Sequence, residues 1–247
     1  MICGSTWIID AYANLHQELG ERFVKVRPKF DREKSRKKAV KNRTVLDKMR
    51  KELAQATKTF FDAIITDLKS EKLSDDLTCS ESQTTEIGNL SEFVAKMRTP
   101  VGSFYRRESN PSEIIPESEF ASRLAQQLEK VAACHAVLYS RKEIDGTDMR
   151  AVSEVALDTC LPSRLGVVRV LFLHQDAMNT SQIAQATLET PLILSRDKAK
   201  NSLEALANIG GIVIEEGEGK TWGDRSYKLH PDFEKIIEQV LGDKKIE

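Results

Sequence analysis

Residues 180–229 change the spacing of their apolar side chains from helical to extended within a few positions, and few folds accommodate such a change. Ile183, Ala184 and Leu188 lie on one face of a short helix that Thr180 is placed to cap and Pro191 must stop. After a turn at Glu189, Thr190 and Pro191, Ser195 is placed to cap a second helix. Its Ala199, Leu203, Leu206 and Ile209 share one face, and it ends at Gly210 and Gly211. Ile212–Glu216 then reads as a strand, Gly217, Glu218 and Gly219 as a tip, and 226–229 as the returning strand. Away from the apolar face, Arg196, Lys198, Lys200 and Asn201 gather in the first half of the second helix, where long donors would meet a major groove. Lys220 and Arg225 flank the tip, within reach of phosphate or a minor groove.

The run TSQIAQATLETPLILSRDKAKNSLEALANIGGIVIEEGEGKTWGDRSYKL resembles a winged helix-turn-helix domain, similar to those of bacterial transcription regulators and to those at the C-termini of some ATPases. Pro162–His174, opened by a proline, would be its first helix and 162–247 its extent. The resemblance implies double-stranded DNA as partner, bound through Arg196, Lys198, Lys200, Asn201, Lys220 and Arg225. Winged helices also serve as protein-docking modules. Glu215, Glu216, Glu218 and Asp224 set acids on the wing, and 162–247 holds 11 Lys+Arg against 13 Asp+Glu, so docking without direct DNA contact stands as the other reading.

The basic charge lies elsewhere. Residues 21–50 carry 13 Lys+Arg against 4 Asp+Glu in a chain whose net charge is −1, enough to attract a phosphate backbone or to form a solvated helix. Interleaved aromatics are lacking, which argues against single-strand stacking. No apolar stretch approaches a membrane span or a signal segment, so a cytoplasmic chain is expected. Cys3, Cys79, Cys134 and Cys160 form no C-x-x-C pair, and His16, His135, His174 and His230 have no ligand spacing. Cys134 and Cys160 fall in helical patterns and are expected in the core, as is His135 with a satisfied ring. No nucleophile elbow or carboxylate pair stands out, so the expectation is a binding protein without cofactor or metal rather than an enzyme.

Two further stretches, IIDAYANLHQELGERFVKVR and ESEFASRLAQQLEKVAACHAVLYSRKEIDGTDMRAVSEVALDTC, resemble the arginine-finger segment and helical lid of an AAA+ ATPase of the replicative-helicase or mobile-element kind. The resemblance implies that Arg22 and Arg123 contact a nucleotide, the first as finger and the second as lid sensor. The chain departs from the family in having no G-x-x-x-x-G-K-S/T loop and no acidic strand end for magnesium. Hydrolysis is therefore not assigned to it. The resemblance implies instead a truncated or split ATPase tail, working with an ATPase partner chain or as a homo-oligomer.

The remaining elements follow from periodicity. Residues 21–27 alternate like a strand, whose open backbone donors would need a partner or a larger protein around them. From Asp31 one long helix is expected, its second half packed through Leu46, Met49, Leu53, Ala56, Phe60 and Ile64. Polar residues 70–85 read as a loop, 87–107 as a helix interrupted at Pro100, and 109–117 as a connector. Ser118 opens a helix with Phe120, Leu124, Leu128, Val131, His135 and Leu138 inward; 148–159 adds another with Met149, Val152, Val155 and Ala156 inward. A last helix, 232–241, would cover the C-terminal domain or pair with its twin. The expected fold is mainly α: an N-terminal helical region (1–112), a lid-like bundle (113–161) and a winged-helix domain with a small β-hairpin (162–247).

Overall fold

The computed structural model describes residues 24–27, 32–70, 77–99, 121–189, 193–216 and 225–241, and these are mainly helical with one small antiparallel sheet near the C-terminal end. The long basic helix is broken. α1 (Arg32–Lys41) and α2 (Leu46–Lys69) are separated by a turn over 42–45, where Val45 N–H donates to the Asn42 carbonyl at 3.1 Å. Asn42, Thr44 and Val45 all have modest helix propensity, and Thr44 and Val45 are exposed. Nor is the second half packed as its periodicity suggests. Leu46, Met49, Leu53 and Phe60 are exposed, and Ile64 is the only buried side chain of α2.

α3 (Glu81–Arg98), α4 (Ala121–Leu138) and α5 (Gly146–Thr159) form the bundle. The polar run expected to be a loop contains the first turn of α3. Ser80 and Gln83 close a capping box, so Ser82, Thr84 and Thr85 are solvent-facing helix rather than linker. Beyond that turn α3 is buried on several sides, including Ile87, Leu90, Phe93, Val94 and Met97, because other helices surround it. On α4 the inward stripe is Leu124, Leu128, Ala132 and Ala136, rotated from the expected one: Val131 and His135 are half-buried and Leu138 is exposed. The two alanines permit close approach to neighbouring helices. Cys134 consequently lies exposed, against expectation, whereas Cys160 is buried. In α5, Met149, Val152 and Ala156 face inward as expected, with Val155 half-buried. Residues 24–27 form no strand. Their donors are met by the end of α5, Lys25 N–H by Thr159 Oγ1 at 2.9 Å and Arg27 N–H by Asp158 Oδ2 at 2.7 Å.

α4 closes with the Ser140 N–H donating to the Val137 carbonyl and the Arg141 N–H to that of Ala136, both at 2.9 Å, the pairing of a Schellman cap. The cap needs a left-handed residue, and Ser140 supplies it at φ 54°. Glycine takes that conformation without the Cβ penalty. Ser140→Gly is therefore expected to stabilise the protein by about 0.5–1 kcal/mol, read as a rise of roughly 2 °C in a thermal melt.

The C-terminal unit runs α6 (Pro162–His174), β1 (Met178–Asn179), α7 (Thr180–Ala186), a 3-10 turn (Thr187–Glu189), α8 (Arg196–Asn208), β2 (Ile212–Glu216), β3 (Arg225–Leu229) and α9 (Pro231–Leu241). β3 lies between the other two strands, pairing Met178 with Tyr227 on one side and Ile212 with Leu229 on the other. The cap of α7 is Asn179 rather than Thr180, in a box with Gln182, so one residue ends β1 and starts the helix. Leu188, expected inside, is exposed because the 3-10 turn sends Thr187 inward instead. α9 is used within the chain. Phe233 meets Phe93 of α3 edge to face, ring centroids 5.6 Å apart, under the Lys96 ammonium, and Asn89 donates to Gln239 at 2.9 Å. One continuous buried cluster accordingly runs from Ile87 on α3 to Ile237 on α9, across the boundary at 161/162.

Candidate nucleic-acid interface

α8 is held at both ends. At its start Ser195 Oγ accepts from the Lys198 N–H at 3.3 Å, as its place in the sequence suggests. Leu194 and Ala199, the two positions of a hydrophobic staple, are both buried. Thr187 fixes the approach, its hydroxyl donating to the Ala184 carbonyl at 2.7 Å and accepting the Leu194 N–H at 3.1 Å. At the far end, Gly211 N–H donates to the Leu206 carbonyl at 2.8 Å and Gly210 N–H to that of Ala207 at 3.1 Å. Gly210 takes the left-handed conformation this requires, φ +69°. The helix therefore enters β2 at a fixed angle.

Ala199, Leu203 and Leu206 are fully buried, and Arg196, Asp197, Lys198 and Asn201 are exposed, while Lys200 and Glu204 are half-buried. The exposed residues do not form one cluster. At about 100° per residue, Arg196 and Lys200 follow one edge of the outer arc and Asn201 and Lys198 the other, with Asp197 and Glu204 between them. The donors thus stand as two rails beside an acidic line, an order that adjacency in sequence conceals.

Arg225 is half-buried at the tip end of the hairpin, opposite Glu216 in register. Lys220 lies outside the described residues, as does Arg22. Arg123 is exposed in the first turn of α4, on the bundle rather than on the α8 and sheet unit. One cation was missed by reading the sequence. Lys228 is exposed on β3 between buried Tyr227 and Leu229, and the two-residue alternation of that strand would have found it.

Three ionisable groups elsewhere are occupied by structure. Asp148, completely buried in α5, accepts from the Asp145 N–H at 2.8 Å and from His135 Nδ1 at 2.7 Å, which puts the ring proton on Nδ1, and is also bound by Arg141 Nη2. Burial works to raise its carboxyl, and the Asp145 amide, His135 and Arg141 outweigh it, leaving the group below the usual carboxylate range. His135 is the satisfied histidine expected. Cys160 is pushed up to about 12 by burial, against the pull of Arg98, Arg169 and Arg27, so at neutral pH it is a thiol rather than a nucleophilic thiolate. Arg164, lowered to about 10 by burial, remains charged and donates from Nη1 to the carbonyls of Met97 at 3.0 Å and Thr99 at 2.7 Å. Among the described residues no group of three or more His, Cys, Asp or Glu could hold a metal ion, and no helix is long and apolar enough to cross a membrane. Compared with known proteins, the chain matches no family model, no curated protein and no solved structure.

Proposed function

We propose that α6 through α9 form a winged helix that binds double-stranded DNA through the outer arc of α8. The observation that carries this reading is the contrast along that helix: Arg196, Lys198 and Asn201 lie in water while the opposite face is wholly buried. A helix about 10–12 Å across fits a major groove about 12 Å wide. In that position the two donor rails meet the phosphates on either side, and the central Asp197 meets base edges, where a carboxylate accepts from cytosine N4. The helix N-terminus adds its own attraction for phosphate. Lys228 and Arg225 extend the contact along the hairpin.

Fluorescence anisotropy of the full chain on a labelled duplex across a salt series tests this. The wild type is expected to bind with a steep negative salt slope. Arg196→Glu together with Lys198→Glu should weaken binding about 100-fold at low salt and make that slope shallower by about 2. Equal binding by the double variant would remove α8 as the contact.

A second reading draws support from the acids Asp197, Glu204 and Glu215 on the same unit. In it the unit docks on protein, as the tail of a split ATPase whose phosphate loop lies on another chain and whose nucleotide Arg123 approaches. Wild-type protein that ignores duplex DNA but is retained by such a partner in the presence of nucleotide would favour it.

A further inference from the structure

We propose that α2 pairs with the α2 of a second copy of this chain, side by side and antiparallel, along Leu46, Met49, Leu53, Ala56, Phe60 and Ala63. These six positions are separated alternately by three and four residues, the a and d spacing of a coiled coil. On a straight helix such a stripe drifts by about 20° per heptad, and supercoiling around a second helix takes up the drift. A stripe that serves its own globular core instead follows the wider 3.6-residue pattern.

All six are exposed, Leu53 to 69%, and Ile64 is the one buried side chain of α2. The stripe leaves on the order of 500 Å² of apolar surface, in the range of the largest patch on a monomer, which is often a functional one. Two such faces together reach the roughly 1,000 Å² that a specific interface needs. Beside the first heptad the flanks are polar, with Arg50 and Glu52 at the e and g positions.

Charge and packing select the orientation. Residues 32–45 hold seven Lys or Arg against one Glu. A parallel pair would set two such segments side by side, whereas an antiparallel pair places them at opposite ends of the seam. The antiparallel register also sets Leu46 against Ala63, Met49 against Phe60 and Leu53 against Ala56, so that large residues face small ones in two of three layers.

Sedimentation equilibrium of the full chain at tens of micromolar is expected to show a dimer. Leu53→Asp with Phe60→Asp, both at exposed positions, should raise the dissociation constant on the order of 100-fold or more with the circular dichroism unchanged. Lys51→Asp, on the face away from the seam, should leave the dimer intact. Oxidising a mixture of Met49→Cys and Phe60→Cys chains should give a 49–60 disulfide between copies, identified by peptide mass. A monomeric wild type, or a dimer that survives the double Asp variant, overturns the proposal. A 49–49 disulfide from Met49→Cys alone overturns the antiparallel arrangement.

Discussion

Asp148→Ala is expected to lower the free energy of unfolding by about 3–5 kcal/mol, the cost of removing one partner from a buried charged network. In a chain of this size that corresponds to a fall of about 10 °C in a thermal melt. The loss is large because three groups depend on one carboxylate. Its Oδ2 holds the Asp145 N–H that starts α5, and its Oδ1 holds His135 and Arg141, which come from α4 and the segment after it. Removing it leaves the Arg141 guanidinium without that carboxylate in a partly buried site, and opens the capping box. The pH dependence follows from the direction of the shift. A carboxyl depressed in the folded state contributes its full stability above the unfolded value of about 3.9 and loses it as pH falls through the lower folded value. Asp148→Asn should therefore be less stable than wild type at neutral pH, with the gap closing on acidification below about pH 4. A constant gap from pH 7 to pH 2 would mean that the Asp148 charge is not what holds the two helices.

Arg164→Met comes next in size, at about 2–4 kcal/mol by urea titration. The guanidinium sits on α6 and donates to the last carbonyls of α3, groups that no further helical turn satisfies. A cation at a helix C-terminus is also favoured by the helix dipole. Methionine fills much of the volume and returns neither donor. Arg164→Lys should recover only part of the loss, since an ammonium is more strongly hydrated than a guanidinium and costs more to bury at this site. Full recovery with lysine would show that charge alone matters, and an unchanged urea midpoint in Arg164→Met would show that water replaces the guanidinium.

What could be read from the sequence was what repeats locally. The helix Pro162–His174 and the strand Ile212–Glu216 have the bounds that proline placement and apolar period indicate, and Ser195 caps where a serine before an apolar run should. The mainly helical fold with a small hairpin was legible in the same way. β1 was not, because two residues carry no period and owe their extended shape to Tyr227 and Ser226 across the sheet. The face of α4 was misjudged because Ala132 and Ala136 are chosen by the closeness of α3 and α5, which spacing along one helix does not record. On α2 the period was right and the inference of packing wrong, since an apolar stripe says that something can cover it but not what. The residue types of the candidate interface could be named in advance. Their division into two rails needed the helix phase, which the burial of Ala199, Leu203 and Leu206 fixes.

The edge-to-face pair of Phe93 and Phe233 makes the C-terminal unit a poor candidate for transplantation. A polypeptide begun at Pro162 would bare the side of Phe233 that Phe93 covers and leave the Arg164 guanidinium without the Met97 and Thr99 carbonyls. Such an excised piece would be prone to self-association through that raw surface, and its behaviour toward a duplex would be that of a different object from the one the whole chain presents.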